Sequence, residues 1–202
     1  MNRPTAKRAL GFLTVIGVFA AFAVPASAST NCDGQAVSKP FAPWLDFANY
    51  TMPGDGSFEA GAAGWQLDRA SVVAENEPFA VHGAGDSRAL KLPAGGSAVS
   101  TPICIGLGHP TLRFFARSST TLTLSTLRVD VRFQDALGNQ RALPVGVVLP
   151  GSRWQPTLPL PVVVNLLSLL PSGPSEVRLA FTPVGSATWW IDDVYVDPKA
   201  RN

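Results

Sequence analysis

The sequence predicts an all-β fold, a two-sheet antiparallel jelly-roll β-sandwich, and three observations carry that prediction. Residues 127–133 alternate without exception: Leu127, Val129, Val131 and Phe133 share one parity, and Arg128, Asp130 and Arg132 take the other. A period of two leaves one face buried and the other wet. Short runs of strand-forming residues recur between glycine and proline turns along the chain, with no long amphipathic helix among them. Sixteen of the 18 prolines lie beyond residue 28, which with ten or so strands points to a sandwich or jelly roll.

Residues 1–28 read as a secretory signal peptide. Arg3, Lys7 and Arg8 precede an apolar run from Ala9 to Val24, Pro25 breaks the run, and Ala26-Ser27-Ala28 supplies a small-residue cleavage site. The run is short for a bilayer span, and a cleavage site follows it directly. Cys32 lies four residues past that site, which argues against a lipoprotein. The chain is therefore expected to be secreted, extracellular or cell-wall associated. Cleavage removes three cations and no acid, so the formal charge falls from +2 to −1 over the remaining 174 residues, the size of one domain. A nucleic-acid partner has no electrostatic support, and no second apolar run is long enough to span a membrane.

Two cysteines, Cys32 and Cys104, remain after cleavage. An even count in an oxidising compartment predicts one disulfide, tying the N-terminal arm to a strand over residues 97–105. Closing a loop of that length is worth about 4 kcal/mol in the chain-entropy view.

In chain order, residues 29–53 form an irregular arm rich in proline and aromatics: Phe41, Trp44, Phe47 and Tyr50 fit neither a helical nor a strand period. Such an arm is expected to dock its rings on the outside of a domain spanning residues 54–198. Within that domain, strands are expected at residues 56–59, 65–68, 70–74, 87–92, 97–105, 112–117, 127–133 and 141–149. Residues 137–140 turn the cleanest strand into a hairpin. Val177, Leu179 and Phe181 alternate in the penultimate strand, and Gly185-Ser186 turns into a final strand rich in β-branched and aromatic residues. Residues 162–170, an apolar run between Pro161 and Pro171, fit a buried strand or one short helix over an open end of the core.

The chain lacks G-x-S-x-G, H-E-x-x-H, a Walker loop, C-x-x-C and G-x-G-x-x-G. Its two histidines, His82 and His109, each lie beside a glycine, as turn residues do. Glu59, Glu75, Glu77, Asp192 and Asp193 offer carboxylates for glycoside hydrolysis, but no spacing among them selects an acid–base pair. A non-catalytic protein is expected, with a small hydrolase the least supported reading.

A structural calcium fits better, since that ion takes carboxylates and turn carbonyls. Asp55 and Glu59 in the segment 54–59, and Asp192 and Asp193 in the last strand, are the candidate ligands; the alternative has both aspartates hydrogen-bonded to loop amides or paired with an arginine. An inward face of Trp190, Val194 and Val196 turns Asp192 inward, whereas one of Trp189, Ile191 and Tyr195 turns Asp193 inward; the apolar counts tie. Trp44, Trp65, Trp154 and Trp189 are the candidates for a sugar-stacking platform, which needs rings left in solvent.

Two motifs carry a resemblance. Gly56-Ser57-Phe58-Glu59-Ala60-Gly61 followed by Gly64-Trp65, and Trp190-Ile191-Asp192-Asp193-Val194-Tyr195-Val196, are similar to the opening and closing segments of the galactose-binding-like β-sandwich superfamily. That group includes the carbohydrate-binding modules of xylanases and cellulases. The resemblance implies a jelly roll with Glu59 and Asp192 or Asp193 near a structural calcium, and a glycan of the cell wall or extracellular matrix as ligand. The chain also resembles exported single-domain proteins of actinobacteria, a kinship that implies no activity. The alternative is a structural or protein-interaction protein of the envelope with no glycan ligand.

Overall fold

The computed structural model describes residues 35–105, 110–135, 137–162 and 175–197. The expected signal peptide, Cys32, His109 and all but Val162 of the apolar run lie outside the described residues.

Among the described residues twelve strands follow in order: β1 (Gln66–Asp68), β2 (Ser71–Val73), β3 (Ala89–Leu92), β4 (Ser97–Val99), β5 (Ile103–Ile105), β6 (Thr111–Ser118), β7 (Thr126–Gln134), β8 (Gln140–Val148), β9 (Gln155–Pro156), β10 (Leu160–Pro161), β11 (Ser175–Val184) and β12 (Trp189–Val196). They make two antiparallel six-stranded sheets. One runs β1-β4-β11-β7-β8 with β5 also on β11, and the other β10-β6-β12-β3-β2 with β9 also on β6. This is the predicted β-sandwich.

The core lies between the sheets, and alternation decides which side chains enter it. Leu127, Val129, Val131 and Phe133 of β7 are buried, while Arg128 and Arg132 are exposed, as their parity requires. From the facing sheet come Leu90 and Leu92, Leu112, Phe114 and Ala116. Aromatic rings fill the middle: Phe58 meets Trp65 at 4.9 Å, Trp65 stacks on Phe181 at 6.0 Å, and Phe114 meets Phe181 edge-on at 5.2 Å. At the turn into β12, Gly185 has φ +89, and a Cβ there would sit 2.7 Å from the Leu124 carbonyl oxygen, so only glycine fits.

Two expected elements differ, and two short strands were not expected. Residues 56–59 form turns and not a strand, because Asp55 and Phe58 take positive φ and coil the segment so that Phe58 plugs the core. The single strand over residues 97–105 is two, β4 and β5, separated by Ser100, Thr101 and Pro102, which lacks the N–H that a ladder needs. β9 and β10 are two-residue strands that no sequence period announces. Cys104 is buried in β5 and is not a free thiol.

The β7–β8 hairpin is held by Asp135. Its carboxylate accepts hydrogen bonds from the Asn139 and Leu137 amides at 2.8 and 3.0 Å and from Arg141 Nε at 2.8 Å. The Asn139 amide first, then Arg141, hold its pKa down at about 2. A depressed carboxylate stabilises the fold above its unfolded pKa, and that contribution is lost as pH falls toward 2. The Asp135→Asn variant is therefore expected to melt at lower temperature at neutral pH, with a difference from the parent that shrinks between pH 4 and pH 2. Melting curves across that range check it; a constant difference would refute the assignment.

Candidate functional site

One sheet face looks away from the core, and the arm covers part of it. The arm runs through a 3₁₀ turn at Ala42–Trp44, pairs Ser38 with Tyr50 and closes on β12 through Thr51 and Val196. Phe41 is fully buried, stacked on Phe115 at 5.7 Å and edge-on to Tyr50 and Tyr195 at 5.0 and 5.8 Å. The Arg113 guanidinium lies over the Phe41 ring, 4.3 Å from its centroid, and pairs with Asp46 at 2.8 Å. The predicted docking of the arm's rings on the outside of the sandwich is observed for Phe41, Trp44 and Tyr50, whereas Phe47 is 62% exposed.

Beyond the arm, the register across β2, β3, β12 and β6 sets Ser71, Lys91, Trp190 and Arg117 in one row. All but Ser71 are half-buried. The Arg117 guanidinium lies 3.8 Å from the Trp190 ring centroid and 5.7 Å from that of Trp154, and Lys91 Nζ lies 5.7 Å from Trp190. Glu75 forms an ion pair with Arg117, which holds the guanidinium in place. The arrangement combines two partly exposed indoles with fixed donors and acceptors. That combination suits a ligand with apolar faces and hydroxyl edges.

Of the tryptophans singled out from sequence, Trp154 belongs to this group. Trp189 and Trp65 are core residues, Trp65 donating from Nε1 to the Gly54 carbonyl at 2.8 Å. Trp44, itself in the arm, is half-buried, 5.1 Å from Phe79 and 5.3 Å from Phe115. Trp190 and Arg117 were not singled out, although the strand alternation that sends Trp189 inward sends Trp190 outward.

The acidic pair of β12 has a different setting. The register shifts between Asp192 and Tyr195, and Asp193 takes φ +48. This bulge resets the alternation, so Trp189 and Ile191 enter the core before it and Val194 and Val196 after it. Both competing parities are thus realised, on opposite sides of Asp193, and both aspartates are buried. Asp192 accepts hydrogen bonds from the Glu77 amide at 3.2 Å and the Asp193 amide at 2.8 Å. Asp193 Oδ2 accepts one from the His82 amide at 3.1 Å, while Asp193 Oδ1 is buried with no hydrogen-bond partner. Buried Glu77 turns its own carboxylate to the Phe79 and Val81 amides. Burial first, then the Asp193 charge, pushes Asp192 up to about 9; burial and then Glu77 push Asp193 up to about 7.

The other two expected ligands do not join this pair. Glu59 accepts from the Ser87 and Arg88 amides at 2.8 and 2.7 Å, and Asp55 from the Ala60 and Ala63 amides at 2.9 and 2.7 Å. Each ties together backbone of its own neighbourhood. Among the described residues, the acids and histidine that do converge are His82, Asp86 and Asp193.

No protein-family model and no curated protein matches the chain. Among solved structures it is similar to the N-terminal endo-1,4-β-D-xylanase 10B of Clostridium thermocellum, whose CBM22-1 and GH10 modules are complexed with xylohexaose. The identity is 15% and the TM-score 0.52, over 72% of this chain and 28% of that one. The chain thus spans under a third of that enzyme's length. It is also similar to the CBM22-1 xylan-binding domain from Paenibacillus barcinonensis Xyn10C, at 13% identity and TM-score 0.48, over 73% of this chain and 94% of that one. A third likeness is to TmCBM61 in complex with β-1,4-galactotriose, at 15% identity and TM-score 0.42, over 72% and 96%. What the chain shares with the xylanase structure is the fold, a two-sheet antiparallel β-sandwich.

Proposed function

We propose that the protein is a secreted, non-catalytic carbohydrate-binding module that takes a polysaccharide of the cell wall or extracellular matrix on the face carrying Lys91, Trp190, Arg117 and Trp154. The observation that carries this reading is the Trp190–Arg117–Trp154 group, with Arg117 fixed by Glu75 on the part of the sheet face that the arm leaves uncovered. Partly exposed indoles supply apolar contact to a sugar ring, and Arg117, Glu75 and Lys91 supply hydrogen bonds to its hydroxyls. The test is affinity electrophoresis of the protein from residue 29 onward through gels containing xylan, galactan or bacterial wall polysaccharides. Retardation by at least one polymer is expected, and unchanged mobility in all of them would refute the reading.

Export and the Cys32–Cys104 bridge belong to the same proposal. The secreted product is expected to begin at Ser29 and to gain two mass units on reduction; intact-mass spectrometry reads both. A product retaining residues 1–28 would contradict export with cleavage, and an unchanged mass on reduction would remove the bridge. A structural cation also enters the reading. Of the oxygens on Asp55, Glu59, Asp192 and Asp193, only Asp193 Oδ1 lacks a hydrogen bond.

A second reading, protein interaction without a glycan, draws on exposed Leu149 and Leu158 beside a cavity of about 500 Å³ that Val147, Leu160 and Trp189 help to line. Self-association in sedimentation, together with no retardation in any gel, would favour it.

A further inference from the structure

The loop between β2 and β3 folds back over the bulge of β12 and brings three donor groups to one place. His82, Asp86 and Asp193 each offer a ligand atom, and these atoms all lie within 4.8 Å of one another. The loop is anchored there by the His82 amide, which donates to Asp193 Oδ2 at 3.1 Å, and within the loop His82 Nδ1 lies 2.8 Å from Asp86 Oδ2. Asp193 is 1% exposed and its Oδ1 has no hydrogen-bond partner. A buried carboxylate oxygen without a donor is costly, and a bound cation removes that cost. Two further acids, Glu77 and Asp192, are buried beside it, yet their oxygens are occupied by backbone amides. Among these three acids the unsatisfied oxygen is therefore Asp193 Oδ1, on the carboxylate that converges with His82 and Asp86.

We infer that His82, Asp86 and Asp193 form a site for a divalent transition-metal ion of the zinc class. Calcium takes six to eight oxygen ligands and makes little use of imidazole, whereas one imidazole nitrogen with two carboxylates suits zinc and its neighbours. The His82 side chain is 45% exposed, so the remaining positions on the metal open to solvent and take water. The site differs from the calcium set expected from the sequence in both ligands and metal, because Glu59 and Asp55 are not part of it. It stands independently of glycan binding.

The experiment uses the untagged chain from residue 29 onward, stripped by chelator and dialysed, then titrated with zinc chloride alone by calorimetry. Thermal melts with zinc and with calcium run in parallel. One equivalent of zinc is expected to bind and to raise the melting temperature, with no shift from calcium at the same concentration. His82→Gln and Asp86→Asn both alter loop side chains outside the core, and each is expected to weaken zinc binding at least tenfold while leaving the metal-free melt near the parent's. Three results would overturn the site: no stoichiometric zinc binding, zinc binding unchanged in both variants, or a shift produced by calcium and not by zinc.

Discussion

Phe41→Ala is expected to cost about 3–5 kcal/mol, the usual range for emptying a fully buried phenylalanine site. The ring is the hub of the outer aromatic cluster, touching Phe115, Tyr50, Tyr195 and Trp44 within 6.4 Å and lying under the Arg113 guanidinium. Its loss removes the apolar contact that holds the arm on the sheet. What remains is the Asp46 carboxylate, shared by Arg113 and the Tyr50 hydroxyl at 2.8 and 2.7 Å, and the ladder bonds of Thr51 to Val196. That network depends on the arm staying dry: burial and the Asp46 bond hold the Tyr50 hydroxyl up at about 12, while Tyr50, Ala48 and Arg113 together outweigh burial and keep Asp46 low. Water admitted by the missing ring weakens it.

Two measurements separate loss of the arm from loss of the fold. Denaturant unfolding reads the total cost, and a drop below 1 kcal/mol would show that the arm is ornamental to stability. Hydrogen exchange at the Ser38 and Tyr50 amides, which donate to the Tyr50 and Ser38 carbonyls at 2.9 and 2.8 Å, reads local opening. Faster exchange there than at β7 amides is expected, since the arm's contacts lie on the far side of the sheet from the main core.

How far each feature was legible in the sequence follows from how local its cause is. Strand β7 is legible to within one residue at each end because its alternation is unbroken and each residue reports its own face. β12 was read as a strand, but the choice between Asp192 and Asp193 stayed tied. A one-residue bulge makes the first half obey one parity and the second half the other, and no local count reveals the residue at which they exchange. Only the left-handed φ of Asp193 marks it, and aspartate tolerates that conformation without advertising it. The opening motif misled for a related reason. Phe58 and Glu59 look like strand residues, but Phe58 reaches the core from a turn, and Glu59 serves the backbone at Ser87 and Arg88. The partners of Asp193 were hidden by distance in the chain: the His82 amide that bonds it is 111 residues away. The outward tryptophan was within reach of the same alternation that placed β7, once Trp189 is assigned to the core.

Trp190→Ala is expected to abolish most glycan binding with little effect on folding, because the ring lies on the outer face and outside both buried clusters. Truncating a central aromatic anchor typically costs 2 kcal/mol or more of binding energy, about a 30-fold weakening. Retardation by the polymer that binds the parent should therefore vanish, while the thermal melt moves far less than in Phe41→Ala. Arg117→Lys separates the aromatic from the polar contribution. Lysine keeps the charge beside Glu75 but loses the planar guanidinium that lies 3.8 Å from Trp190. Binding about tenfold weaker is expected if Arg117 both fixes the indole and donates to sugar hydroxyls, the size of one lost charge-assisted hydrogen bond. Full retention of binding in both variants would move the ligand to another face of the sandwich, since no other part of this one combines exposed indole with fixed donors among the described residues.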